Sequence, residues 1–175
     1  MLFLPVRPTV CLTLPLIPDY RKSMKIFGLD AGLINFQFGK QVDYLEHLTL
    51  TDILAGRIAE QITAQELIAT VLPPFSELNF WTREKSQSQA EVDFVLPYND
   101  WLIPIEVKSG KTGKLRSLHS FMDQCEHNLA VRVYSGPLLI HSDKTIKGKE
   151  FKLVNLPFYL ISRMGGILKN VMREA

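Results

Sequence analysis

The sequence predicts an α/β domain, on three observations. Residues 50–72 carry an apolar stripe at helical spacing that stops hard at Pro73-Pro74. Residues 78–107 read as three successive strands with short polar connections. A second amphipathic helix follows at 114–127, and two further strands at 131–134 and 138–141.

At 175 residues and 46% apolar composition the chain has the length and the hydrophobic content of one domain with a proper core. A formal charge of +2 sets no polyanion-binding field over the whole molecule, so any nucleic-acid surface must be local. Cys11 and Cys125 are far apart and lack C-x-x-C spacing, which argues against a disulfide framework and a thiolate zinc site and fits a reducing, cytoplasmic setting. The apolar start of the chain is broken by Pro5, Arg7, Pro8, Pro15 and Pro18 and has no basic leader, so neither a signal peptide nor a membrane span is expected.

In chain order, residues 1–23 read as an extended, proline-rich segment that must lie over something else to be ordered. A short buried strand at 25–29 leads through a turn at 30–32 into a short amphipathic piece. In the helix at 50–72, with Thr51 or Asp52 as N-cap, Ile53, Gly56, Glu60, Ala64, Leu67 and Val71 share one stripe, with Ile58, Ile62 and Ala69 opposite. The strands are placed at 78–83, 91–96 and 102–107, with a linker at 85–89 and a turn at Tyr98-Asn99-Asp100, as a three-stranded meander. Residues 144–152 read as an exposed basic loop or hairpin, and 157–172 as a closing helix with Gly165-Gly166 as its candidate break.

The residues that carry chemistry are Asp93, twelve intervening residues, then Glu106-Val107-Lys108. Positions i and i+2 of a strand share a face, so Glu106 and Lys108 point the same way, and an adjacent strand can bring Asp93 beside them. Clustered carboxylate oxygens suit Mg²⁺ (or Mn²⁺), which takes one or two carboxylates and completes its shell with water and phosphate oxygens. Such an ion supports phosphodiester hydrolysis, with Lys108 placed to orient or deprotonate the attacking water or to offset developing charge.

Glu60 adds to this reading, because an ionised carboxylate within an apolar stripe is costly unless it meets a cation or several donors. Either it is a third metal ligand, or it pairs with a lysine or arginine at the core edge. The bare Asp-x₁₂-Glu-x-Lys string also arises from two exposed strand carboxylates and a surface pair. The flanking Val92, Phe94, Val95, Ile103, Ile105 and Val107 favour buried strands instead.

After Lys108 the stretch Ser-Gly-Lys-Thr-Gly-Lys-Leu-Arg places Lys111, Lys114 and Arg116 on a glycine-containing loop before a helix, suited either to phosphate contact or to plain solvation. It lacks the upstream glycine of a Walker A loop, so no ATP site is assigned to this chain. His47, His119, His127 and His141 lack metal-ligand spacing, and Trp81 and Trp101 read as packing residues.

Five stretches, PLIPDYRKSMKIFGLDAGLINF at 15–36, GRIAEQITAQEL at 56–67, FWTREKSQSQAEVDFVLPY at 80–98, IPIEVKSGKTGKLRSLHSFMD at 103–123 and NLPFYL at 155–160, carry a resemblance. Through most of its length the chain resembles the C-terminal domain of unknown function of a large prokaryotic family of AAA-type ATP-binding proteins, placed in the PD-(D/E)XK nuclease-like superfamily. The resemblance implies a restriction-endonuclease-like core over 24–175, a central mixed sheet flanked by helices. It also implies Glu60 on the first core helix and Asp93, Glu106 and Lys108 at the metal and catalytic positions. In such proteins an ATPase module usually precedes this domain. No phosphate-binding loop or Walker B strand is found here, so the chain reads as truncated, trimmed or free-standing.

Three functions stand open at this point. The first is a Mg²⁺-dependent nuclease acting on DNA. The second is a nucleic-acid- or protein-binding module that keeps the nuclease fold, with an ATPase among its partners. The third is a structural remnant that self-associates as a homo-oligomer through apolar surface near residues 1–18.

Overall fold

A computed structural model describes residues 3–37, 56–73, 76–83, 90–110 and 113–173. The backbone forms one mixed eight-stranded sheet flanked by helices, so the chain is α/β. The strands are β1 (Phe3–Thr9), β2 (Lys25–Gly28), β3 (Asn79–Thr82), β4 (Glu91–Tyr98), β5 (Trp101–Val107), β6 (Leu129–Tyr134), β7 (Leu139–Lys144) and β8 (Glu150–Pro157). Their order across the sheet is β2-β1-β3-β4-β5-β6-β8-β7. The meander expected from the sequence is present as the antiparallel run β3-β4-β5. Asn99, at φ 51°, makes the tight turn between Tyr98 and its register partner Trp101. Strands β5, β6 and β8 are mutually parallel, and β1 runs parallel to β3.

Central strands covered on both faces must be apolar on both, and β4, β5, β6 and β8 are. On one face Phe94, Leu96, Ile103, Ile105, Val131, Val133, Val154 and Leu156 pack beneath α2 (Arg57–Glu66) and the C-terminal segment. That segment is a 3₁₀ stretch, Phe158–Arg163, followed by α4 (Met164–Arg173). On the other face Trp81, Val92, Leu102, Ala130 and Leu153 pack beneath α3 (Arg116–Met122). Cys11, Leu12, Leu14 and Leu16 lie against this second cluster, so the proline-rich segment does rest on the body of the protein. A short helix, α1 (Ala31–Gln37), is capped by the Asp30 carboxylate, whose Oδ1 accepts the Leu33 N–H at 2.9 Å.

Several expectations require correction. Residues 3–9, read as loop-like, form a strand that pairs with both β2 and β3, because Val6 and Thr9 bury completely beneath its alternating pattern. Gly56 does not belong to the helix stripe: at φ 59° and ψ −117° it stands just before the first turn, in a region only glycine enters without strain. The N-cap candidates Thr51 and Asp52, Ile53 of the stripe, His47 and the 85–89 linker lie outside the described residues. Of the two readings of the basic stretch at 144–152 the hairpin holds, as β7–β8, and only its extent differs, the second strand continuing to Pro157. Lys149 and Lys152 hid the Phe151, Leu153 and Leu156 pattern there. The closing helix begins later than residue 157 and runs through Gly165-Gly166 without a break, the change from 3₁₀ to α falling at Met164 instead. Among the described residues no helix is long and apolar enough to cross a membrane.

Candidate active site

The ladder between β4 and β5 is regular from the turn up to Phe94 and Ile105, and there the pattern changes. Asn79 pairs with Val95 but Trp81 with Val92, so Asp93 and Phe94 together face Phe80 as a bulge. A bulge re-aims one side chain of a strand. The Val107 N–H donates at 2.7 Å to Asp93 Oδ2, so a side-chain carboxylate, rather than a backbone carbonyl, receives this donor. Asp93 and the Glu106-x-Lys108 segment are thus tied together by a specific bond.

Glu106 is buried near the end of β5, and Lys108 Nζ donates to its Oε1 at 2.7 Å. The other oxygen, Oε2, is buried with no hydrogen-bond partner. A carboxylate oxygen left so is costly. Burial is the first reason that the Glu106 carboxyl is held above its usual range, against the pull of Lys108. Asp93 is pushed up to about 7, first by burial, then by the charges of Glu106 and Glu60, with the Val107 N–H and Lys25 opposing.

Glu60 arrives from the middle of α2, on the stripe it shares with buried Ala64 and Leu67. Of the two partners open to it on sequence grounds, the structure shows the lysine: Lys25 Nζ stands 3.3 Å from Glu60 Oε2. The same ammonium is 2.7 Å from Glu91 Oε1 and 3.8 Å from Asp93 Oδ1. Its pKa is raised; burial alone would lower it, but the bond to Glu91 and the charges of Glu60 and Asp93 prevail. Helix α2 is clamped to β2 by Gln61, whose Nε2 donates to the Gly28 carbonyl at 2.5 Å while its Oε1 accepts the Gly28 N–H at 2.8 Å. This two-point bond sets Lys25 opposite Glu60.

The structure therefore gathers Glu60, Asp93, Glu106 and Lys108 and adds Lys25 and Glu91. Among the described residues no three His, Cys, Asp or Glu side chains already converge as a metal-ligand set; what Glu60, Glu91 and Asp93 share is the Lys25 ammonium. The donor set nevertheless fits a hard divalent cation: the ligands are all carboxylate oxygens, one of them is buried without a partner, and four carboxylates face two ammoniums.

The basic loop contributes less. Lys111 lies outside the described residues, and Lys114 and Arg116 are exposed, the latter opening the seven-residue α3. The loop does turn back over Lys108: a Cβ on Gly113 would come within 3.0 Å of Lys108 Cδ. A cation missed in the sequence is closer. Arg132 is the register partner of Glu106 on β6, and Asn155 the partner of Arg132 on β8, so the three share a face as one polar row. The Arg132 guanidinium lies 4.5 Å over the Tyr134 ring with its Nε buried and unpaired, and Asn155, fully buried, leaves Oδ1 unpaired. A charged residue inside the run Leu-Ala-Val-Arg-Val-Tyr was a readable signal. Lys25 and Glu91 gave none, because their meaning depends on which strands stand beside α2.

Trp81, Trp101 and His127 are packing groups. Trp81 is edge-on to Phe121 in the core, and Trp101 stacks on His127 at 5.2 Å. His127 is buried, with Nε2 2.9 Å from the Leu102 carbonyl and Nδ1 accepting the Leu129 N–H; burial holds its pKa below the usual value. That arrangement fixes a neutral structural imidazole.

Residues 55–159, more than half of the chain, match the family model of a domain of unknown function, DUF4143. No curated protein and no solved structure matches it. The matched stretch spans α2, β3, β4, β5, α3, β6, β7 and β8, and with them Glu60, Asp93, Glu106, Lys108 and Arg132, whereas Lys25 lies before it. The chain belongs to the DUF4143 family.

Proposed function

We propose that the end of the sheet where β4 and β5 part is a divalent-metal-dependent site for hydrolysis of nucleic-acid phosphodiesters, with DNA as the substrate. The observation that carries this reading is the Glu106 carboxylate, buried, bonded at 2.7 Å to Lys108 through one oxygen and unpaired at the other, beside an Asp93 held near neutral pH. Groups with such perturbed titration gather at functional sites. The resemblance of the surrounding motifs to the PD-(D/E)XK class supports the same assignment, and extends it to an ATPase partner of the AAA type.

Asp93, Glu106 and Glu60 would hold Mg²⁺ or Mn²⁺, which when bound supplies Lewis-acid polarisation of the phosphoryl group and lowers the pKa of water. Asp93 offers Oδ1, its Oδ2 being engaged by Val107, and Glu106 offers Oε2. Lys108 donates to the attacking water or to a phosphoryl oxygen from a position fixed by Glu106 on one side and by the Gly113 backbone on the other. Arg132, one strand away on the same face as Glu106, presents a guanidinium to an adjacent phosphate.

One observation favours a second reading, in which nucleic acid is bound without cleavage: Lys25 already neutralises much of the carboxylate charge. Calorimetric titration of Mg²⁺ and Mn²⁺ into the wild type and Asp93→Ala, with plasmid nicking on the same samples, separates the two. Saturable binding and nicking, both lost in the variant, are expected. Salt-sensitive DNA affinity that survives the substitution, with no metal binding and no nicking, would leave only the binding module.

A further inference from the structure

We propose that Lys25 is the resident cation of this carboxylate cluster, and that a divalent ion binds in competition with its ammonium for Glu60 and Asp93. The inference rests on the metal-site reading above and concerns how that site is loaded.

Three carboxylates surround one nitrogen at 2.7, 3.3 and 3.8 Å, in a side chain only 22% exposed. That number of anions around one lysine exceeds what a salt bridge needs, and like charges so close repel one another unless a cation stands among them. The lysine is also held from behind, Nζ lying 5.0 Å over the Phe80 ring, so its position is set by packing as well as by charge. The Gln61 clamp on Gly28 fixes β2 against α2 and keeps the ammonium in place. The buried Glu106, whose Oε2 has no partner, adds an anion that Lys25 does not bond. The cluster is thus held together by a monovalent charge and remains short of positive charge.

The oxygens a metal would use are those Lys25 touches. Asp93 Oδ1 is the oxygen that does not bond Val107, and it is the one facing Lys25; Glu60 meets Lys25 through Oε2. An ion ligated by these oxygens must displace the ammonium from them, and Glu91, the closest and most exposed of the three partners, can retain it. Without metal, Lys25 keeps the carboxylates from driving the site apart. With metal, its displacement is a cost that weakens binding. Lys25 comes from the strand before the family-matched residues, so the N-terminal segment sets metal affinity in a site it does not otherwise build.

The test is calorimetric titration of Mn²⁺ into the full chain as wild type, Lys25→Met and Lys25→Gln, with melting temperatures recorded in chelator and in Mn²⁺. Both variants are expected to melt lower than wild type in chelator, to recover in Mn²⁺, and to bind Mn²⁺ at least about tenfold more tightly, the effect of removing one neighbouring cation. A variant that folds only with Mn²⁺ supports the same conclusion, and so does Mn²⁺ binding by the variants alone. Affinity equal to or weaker than that of a metal-binding wild type overturns the competition while leaving the metal site standing. Failure of both variants to fold even in saturating Mn²⁺ also overturns it. If wild type and folded variants all bind no Mn²⁺, the metal-site reading itself fails.

Discussion

Glu106 and Arg132 are register partners on parallel strands, and they do not pair: the carboxylate turns to Lys108 and the guanidinium lies over Tyr134. Two opposite charges that stand side by side keep a buried oxygen and a buried Nε unpaired, polar capacity that the proposed phosphodiester and divalent cation would use.

If Arg132 meets a phosphate, Arg132→Ala weakens DNA binding about equally for all sequences and lowers the slope of log affinity against log salt by about 1. Mn²⁺ affinity stays unchanged. Filter binding across a salt series measures both, and a salt slope equal to wild type would remove Arg132 from the interface.

Asp93 gives stability a definite pH dependence. Its carboxyl is ordinary in the unfolded chain, near 4, and raised to about 7 in the fold, so between these values the folded protein binds more protons than the unfolded one. Stability is therefore greatest at the acid side of this window and falls as pH rises through it, by at most about 4 kcal/mol at ~1.4 kcal/mol per pH unit. Glu106, also raised, acts in the same direction. Thermal melts in chelator from pH 5 to pH 8 are expected to show a smaller decline for Asp93→Asn than for wild type.

Gln61 ties β2 to α2 beside the site. Gln61→Leu keeps the size but strands the Gly28 N–H and carbonyl, with an expected loss of about 2–4 kcal/mol. Urea denaturation measures this loss. A change under about 0.5 kcal/mol, the range of an ordinary surface substitution, would show that water replaces the clamp.

Gly113 supports Lys108 by leaving room for it. In Gly113→Val the added carbons enter the space of Lys108 Cδ, 3.0 Å from the ideal Cβ, and push the ammonium from Glu106. Nicking is expected to fall by up to about 100-fold, the effect of an ångström's misplacement, with the melting temperature nearly unchanged because Gly113 is exposed.

Local sequence determined the α/β class, the meander, the two main helices and the grouping of Asp93 with Glu106 and Lys108. Periodicity and spacing act over a few residues, and β4 and β5 are joined by a tight turn. Glu60 was legible for a similar reason: a charge on an apolar stripe demands a partner. Which partner it takes was decided only by tertiary structure. Lys25 is 35 positions away, and it reaches Glu60 because Gln61 binds β2 to α2 and β1 joins β2 to the rest of the sheet. Arg132 and Asn155 likewise become neighbours of Glu106 through parallel pairing, which joins strands separated by helix or hairpin. Charge balance at the site depends on such long-range pairings, and no spacing along the chain encodes them.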